Sequence, residues 1–517
     1  MPEDLTILPT PETAERRGGH LTLAADTTIA CDPGAERAAA HLQRAVAREC
    51  ALQLQVNAGA SGPAAVRLRL DDRAGPGPEG YCLEIDSAGL DLRAPDAAGL
   101  HYGVQTLSQL LPGGAGAAAR QVPALRIVDR PRHRWRAFML DSGRQYQSVA
   151  FIKRYLDLLA ALKLNAFHWH LTEGLGWRLE IERHSRLTEV GARVADGPEQ
   201  QGFYSRGEIR DVVAYAAERH IRVIPEIDVP GHSEAALTAY PEFTCRGEPP
   251  PSPKPGSGHC PVIFCGGKES VYAFLGSVLD EVCDLFPDEV IHLGGDEAPK
   301  DEWDRCPDCR RAIADLGLAD SHALQVHFSN RLAEMAAARG RRVVLWDDVV
   351  SRPGPPLRDD AIVHWWTQRS HGDRELRRAL AQGHDVLCTP NYYCYLNFPT
   401  EPWSIYREER TFGLRQAYCD NPADVDAMDG LSQEDRRHLL GLGAALWCDG
   451  GVRQDMIDRR VFPRIMAHAE LMWHRGERLD FDSFRARATR RTRYLGGHAI
   501  EPGPDLAGEA PPGFSWE

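Results

Sequence analysis

From about residue 131 onward one pattern recurs: a short apolar run, a loop of polar or aromatic residues, then a stretch with helical periodicity. The apolar runs are AFMLD (137–141), LNAFHWHL (164–171), IRVIPEID (221–228), EVIHLGG (289–295), RVVLWDD (342–348), AIVHWW (361–366), DVLCTP (385–390) and GLGAALW (441–447). Helical stretches such as FIKRYLDLLAALK (151–163) and VHFSNRLAEMAAARG (326–340) separate them. Strands that are apolar throughout are buried on both faces, as in a parallel sheet wrapped by helices. Eight of them between residues 131 and 500 predict an α/β fold, a closed (β/α)8 TIM barrel. A doubly wound open sheet would carry a Gly-rich phosphate loop after its first strand, and this sequence has none there.

At 517 residues the chain is too long for one core. Residues 1–130 read as a small α+β domain that precedes the barrel. HLTLAADTTIAC (20–31) and AVRLRLDD (65–72) predict strands, and the Ala-rich 35–50 stretch predicts a helix. YCLEID (81–86) and LDLRA (90–94) predict a hairpin turning at Ser87-Ala88-Gly89. Asp96 is placed to cap a helix carrying Leu100, Val104, Leu107 and Leu111 on one face. No cluster of catalytic residue types occurs here, which gives this domain a supporting role. The Pro-, Gly- and Cys-rich segment 242–268 is an insertion after the third strand, expected to rim the pocket, and 501–517 is a Pro/Gly-rich tail.

A formal net charge of −14, without a Lys/Arg-rich run, excludes a nucleic-acid partner. No apolar run is long enough to span a bilayer, and the N-terminus lacks a basic segment followed by an apolar one, so no membrane association and a cytoplasmic location are expected. An odd count of 13 cysteines and the lack of an N-x-[ST] sequon agree with a reducing compartment.

Catalytic residues of such a barrel lie just past the C-terminal ends of the strands. In chain order those ends offer Arg144, Glu173, His232, the pair Asp296-Glu297, Trp346 with Asp347 and Asp348, Trp365-Trp366, Tyr395 with Asn397, and Trp447 with Asp449. Aromatic faces stack on pyranose rings, while Arg, Asn and carboxylates make directional bonds to hydroxyls, so the set points to a sugar. The acid pair points to cleavage through an oxocarbenium-like transition state, with mutual repulsion raising one pKa. Neighbours on a strand face opposite ways, so Asp296 and Glu297 share a pocket only where the strand gives way to loop, a departure that Gly294-Gly295 permits. Two side chains so close do not readily flank a glycosidic bond as acid and opposing nucleophile. One way out is a nucleophile supplied by the substrate.

MLDSGRQY, NAFHWHLTEGLGWRLEI, IPEIDVPGH, HLGGDE, the WDD at 346–348, YLN (395–397) and ALWCD (445–449), with the 81–111 segment before them, resemble in content and order a β-N-acetylhexosaminidase of glycoside hydrolase family 20. The resemblance implies a retaining exo-glycosidase that removes terminal β-linked N-acetylhexosamine, GlcNAc or GalNAc, from an oligosaccharide or glycoconjugate without a cofactor. It implies Glu297 as general acid/base, Asp296 as the acceptor that orients the 2-acetamido group, and Tyr395 as a donor to the acetamido oxygen. Trp346, Trp366 and Trp447 would wall the acetamido pocket, and Arg144, Asn397, Glu173 and Asp449 would hold hydroxyls. His232 would belong to the polar network behind Glu297.

Two positions depart from the family's pattern: Glu173-Gly174 stand where two aspartates are usual, and Asp449 where Glu is usual. One acid is a methylene longer and the other a methylene shorter, which suggests compensation around one sugar. A non-catalytic glycan-binding relative and a metal-dependent barrel amidohydrolase are the alternatives. The second draws on HWH (168–170), which puts two histidines on one strand face, although a hydrogen-bonded pair accounts for them without metal. Cys306-Pro-Asp-Cys309 is a CxxC without a matched second pair, so no metal is expected there either. Cys245, Cys260 and Cys265 lie in the 242–268 insertion, where the sequence leaves their partners open. Asp347 and Asp348 read as acids satisfying nearby donors, and Trp135 and Trp473 as core.

Overall fold

The computed structural model describes residues 5–503 apart from 60–64, 74–75, 112–118, 196, 252–260, 369–371, 400–411, 422–427, 429 and 496–499. All but the first three residues of the expected 501–517 tail therefore lie outside the described residues, as does Cys260.

Eight strands close a barrel, each parallel to the next. In chain order they are Trp135–Asp141, Ala166–His170, Arg222–Glu226, Val290–His292, Arg342–Trp346, Ile362–Trp365, Val386–Cys388 and Leu439–Leu446. Every apolar run read from the sequence supplies one of them. The period of two along each strand sorts the interior into layers. Ala166, Ile224, Val290, Val344 and Ile362 form an apolar plug with Trp135 and Ala137. Two residues further along the same strands stand His168, Glu226, His292, Trp346 and His364, all buried. Phe167 and Trp169 face the other way, into the large core shared with the helices.

Those helices start where side chains can take the first free N–H groups. Ser148 caps Val149–Ala161 by accepting from Phe151 N–H at 3.2 Å, and Asp320 caps Ser321–Ala337 by accepting from Ala323 N–H at 2.8 Å. Among the described residues no helix is long and apolar enough to cross a membrane.

The N-terminal residues form a seven-stranded mixed sheet with the order Thr13–Ala24, Ala119–Asp129, Tyr81–Ile85, Leu90–Ala94, Val66–Leu70, Thr28–Cys31, Gln55–Ala58. Helices Glu36–Cys50 and Ala97–Leu110 lie beside it, and the Asp96 side chain accepts from Gly99 N–H at 2.7 Å, the cap read from the sequence. The 20–31 segment is two strands, because a turn at 25–27 is closed by Thr27 Oγ1 accepting from Ala24 N–H at 2.9 Å. The strand Ala119–Asp129 was not anticipated from sequence, since Pro123 interrupts it. Proline is tolerated because its partner His20 sits where the neighbouring strand changes register.

This sheet meets the N-terminal ends of the first two barrel strands. Lys163 Nζ lies 2.9 Å from Asp129, both fully buried, and Arg136 reaches Glu79 at 2.9 Å. Trp473, from the barrel helix Arg464–Trp473, is buried in the small domain's own core and donates to Asp129 at 3.0 Å.

Candidate active site

A cleft of about 280 Å³ opens at the C-terminal ends of the strands. Its lining includes Arg144, His232, Asp296, Glu297, Trp366, Tyr395, Asn397, Trp447 and Asp449, so nine of the eleven residues expected at the site meet there. Asn391 and Phe398 line it as well and were not anticipated.

The turn after the fourth strand decides where the acids point. Gly294 has φ +63°, and a Cβ there would lie 1.7 Å from Asp228 Oδ1. Gly295 follows with φ +101° and donates its N–H to the same oxygen at 3.0 Å. The backbone therefore wraps around Asp228 in a way that side-chain-bearing residues do not permit. Glu297 itself has φ +46°, a left-handed conformation unusual for a residue with a long side chain. Asp348 Oδ1 holds it by accepting the Glu297 N–H at 3.1 Å, while Oδ2 accepts from Trp366 Nε1–H at 2.8 Å. Asp296 is buried, whereas the Glu297 side chain keeps 35% of its surface at the cleft. Adjacent carboxylates thus occupy different environments.

Behind the acids runs a charged chain. His232, also left-handed at φ +49°, places Nδ1 2.6 Å from Glu173 and Nε2 3.5 Å from Asp296 and 3.7 Å from Glu297. Burial disfavours charge on this imidazole, yet Glu173 and Asp296 outweigh it and hold its pKa well above the usual histidine value. Burial likewise opposes ionisation of Glu173, but Arg144 and His232 prevail and keep it well below the usual carboxylate range. Arg144 bonds Glu173 and, at 2.8 Å, Asp141, and its guanidinium lies 5.2 Å from the centre of the Trp447 ring. Asp449 accepts from Asn397 Nδ2–H at 2.8 Å.

Repulsion within the acid cluster shows at its margins. Burial and then Asp296 push Asp228 well above the usual aspartate value and Asp348 up to about 6. Burial and Asp296 also push the Tyr395 phenol well up, so it remains a neutral donor. Its ring lies parallel to Trp366 with centroids 6.2 Å apart and stands 5.9 Å from Trp447.

Two expected residues lie deeper than the cleft lining. Glu173 stands beneath Arg144 and His232, so it shapes the site through them. Trp346 is 1% exposed, stacks on His364 with centroids 4.1 Å apart, and lies 6.0 Å from Trp447. Its Nε1–H donates to Glu226 at 2.8 Å. That buried carboxylate is the centre of the polar layer: His168 lies 2.8 Å from it, His170 2.5 Å and His292 3.2 Å. Both histidines of HWH therefore have a carboxylate partner, although His168, His292 and His364 also come within ligand distance of one another. Glu226 was legible in principle, two residues past the inward-facing Ile224. Asp347 accepts from Thr367 Oγ1–H at 2.7 Å and stays out of the cleft lining.

Two family models cover nearly all of the chain: Glycosyl hydrolase family 20, domain 2, over residues 4–130, and its catalytic domain over residues 133–476. A beta-hexosaminidase of Porphyromonas gingivalis is 37% identical over 87% of this chain, which spans 58% of that relative's length. The crystal structure of a beta-N-acetylhexosaminidase from Bacteroides fragilis superposes with a TM-score of 0.89 at 41% identity, covering 99% of each chain. A mutant Streptomyces plicatus beta-hexosaminidase in complex with GlcNAc matches at a TM-score of 0.84 and 30% identity over 97% of both chains. The closed barrel and the sheet domain before it are each matched by a model of one family, and this chain belongs to glycoside hydrolase family 20.

Proposed function

We propose that this protein is a retaining exo-β-N-acetylhexosaminidase that releases terminal GlcNAc or GalNAc from oligosaccharides or glycoconjugates. One observation carries the reading: Asp296, Glu297 and Tyr395 converge on one cleft that Trp366 and Trp447 also line. A cleft of about 280 Å³ lies just below the ~300–1,000 Å³ range of drug-sized ligand sites, which suits one terminal ring. The Streptomyces plicatus relative with bound GlcNAc supports the substrate class.

The roles follow from environment. Glu297, part exposed at the mouth, protonates the leaving oxygen and then draws a proton from water. Asp296, buried behind it, accepts the acetamido N–H, and Tyr395 donates to the acetamido oxygen as that oxygen attacks C1. An oxazolinium intermediate forms with inversion, and water opens it with a second inversion, so configuration is retained. His232, charged between Glu173 and Asp296, positions Asp296 and Glu297. Arg144, Asn397 and Asp449 hold sugar hydroxyls, with Glu173 fixing Arg144. A cytoplasmic location suits the free cysteines of the chain, which stay reduced there.

The test is release of p-nitrophenol from the aryl N-acetyl-β-glucosaminide and -galactosaminide, with a thiazoline mimic of the intermediate as inhibitor. Glu297→Gln is expected to lower kcat by about 10²–10⁴-fold on unactivated chito-oligosaccharides. Sugar binding by wild type without turnover of either glycoside would overturn the proposal in favour of a glycan-binding protein.

A further inference from the structure

The cysteines that the sequence leaves apart meet in space. Cys306 and Cys309 begin the helix Pro307–Asp315, while Cys245 and Cys265 come from the insertion after the third barrel strand. Cys265 Sγ lies 3.5 Å from Cys309 Sγ and 3.8 Å from Cys306 Sγ, and Cys245 Sγ lies 3.9 Å from Cys309 Sγ. All four sulfurs fall within 4.8 Å of one another. A disulfide would bring two of them to about 2.05 Å, and all four are free thiols. A tetrahedral zinc with Zn–S bonds of about 2.3 Å sets its sulfurs about 3.8 Å apart, and the separations of 3.5, 3.8 and 3.9 Å lie close to that.

We propose that Cys245, Cys265, Cys306 and Cys309 form a closed, four-thiolate structural zinc site. The insertion provides the second pair that the isolated CxxC lacks. Its backbone is shaped for this approach: a Cβ on Gly267 would lie 2.3–2.4 Å from backbone atoms of Asp308 and Cys309. Three of the four cysteines are buried and none lines the cleft, so the site has the closed character of a structural centre. Four soft sulfurs in a tetrahedron select zinc over hard cations. Binding releases the thiol protons to solvent and transfers no electrons.

The consequence is mechanical. Cys306 is nine residues past Glu297, so the metal would fasten the segment leaving the catalytic turn to the insertion, none of whose described residues lines the cleft that it was expected to rim. Trp303 Nε1–H donating to Phe264 O at 2.9 Å runs alongside the same junction.

Protein purified from zinc-supplemented medium under reducing conditions is expected to contain one zinc per chain by elemental analysis. Cys306→Ser/Cys309→Ser is expected to lose it, whereas Cys283→Ser, outside the cluster, keeps it. Cobalt(II) exchanged into the wild type is expected to give thiolate-to-metal charge transfer and the intense visible bands of a tetrahedral centre, a readout that stands even if the double variant does not fold. Metal content far below one per chain after supplementation, stoichiometric iron in place of zinc, or a non-reducing mass two hydrogens lighter per disulfide would each overturn the proposal. None of these measurements depends on hydrolase activity, so they succeed or fail independently of the proposed reaction.

Discussion

Tyr395 isolates one step of the proposed reaction at a single atom. Its phenol is buried and neutral, and Phe keeps the ring that lies parallel to Trp366. Tyr395→Phe therefore removes only the donor to the acetamido oxygen, and kcat is expected to fall about 10²-fold with binding of a thiazoline inhibitor weakened alongside it. Steady-state kinetics and inhibitor titration check both; an unchanged kcat would place the donor elsewhere. Asp348 gives a pH signature. Its folded pKa is raised to about 6 against an unfolded value of about 3.9. Between those values the folded chain keeps a proton that the unfolded chain has shed, so this group's contribution to stability falls as pH rises from about 4 to about 6 and is level above. The Tm of wild type minus that of Asp348→Asn, measured across pH 4–7, is expected to decline through that window and then flatten. The legible part of the site was residue identity, because the strand-end rule and the family resemblance named nine of the cleft's lining residues. What was not legible was depth. Glu173 and Asp449 looked like compensating changes around one sugar, but Glu173 lies under Arg144 and only Asp449 lines the cleft. Arg144 is where the two changes meet, since both acids raise its pKa against burial.

At the scale of elements, the turn Gly294–Glu297 matters more than the strand before it. A methyl group on Gly294 would overlap Asp228 and carry a φ of +63° that L-residues resist. Gly294→Ala is expected to cost about 2 kcal/mol or more by chemical denaturation, and to cut kcat further than that loss of folded protein explains. Full activity in the folded fraction would show that the acids do not depend on this wrap. The two glycines before the acid pair announced this departure from the strand, and the eight barrel strands were equally plain because burial on both faces leaves long apolar runs. The strand Ala119–Asp129 was hidden for the opposite reason. Its burial alternates but slips at Ala124-Leu125, both buried, at a register shift next to Pro123 that is visible only once the strand is paired. The CxxC looks isolated in the sequence because the cysteines that approach it are 41 and more residues away in the chain.

Across the whole molecule, stability and chemistry sit at opposite ends of the barrel. The cleft opens at the C-terminal ends of the strands, whereas Lys163 and Asp129 join the sheet domain to the N-terminal ends. Burial lowers the Lys163 pKa and Asp129 opposes that shift, so the ammonium depends on its partner to stay charged out of water. Asp129 also accepts from Tyr81 OH at 2.6 Å, from Trp473 and from Glu12 N–H at 2.9 Å, which with Lys163 ties four parts of the chain to one carboxylate. Asp129→Ala is expected to destabilise by about 3–5 kcal/mol, because it strands a buried charge. The paired change Asp129→Leu/Lys163→Met leaves no such charge and is expected to recover much of that loss, with the Tyr81, Trp473 and Glu12 donors accounting for the remainder. Since the junction touches no cleft residue, kcat/KM of either variant below its melting range should match wild type. A fall in kcat/KM without a fall in stability would mean that the sheet domain shapes the cleft through the barrel, and that the separation of the two ends is not functional.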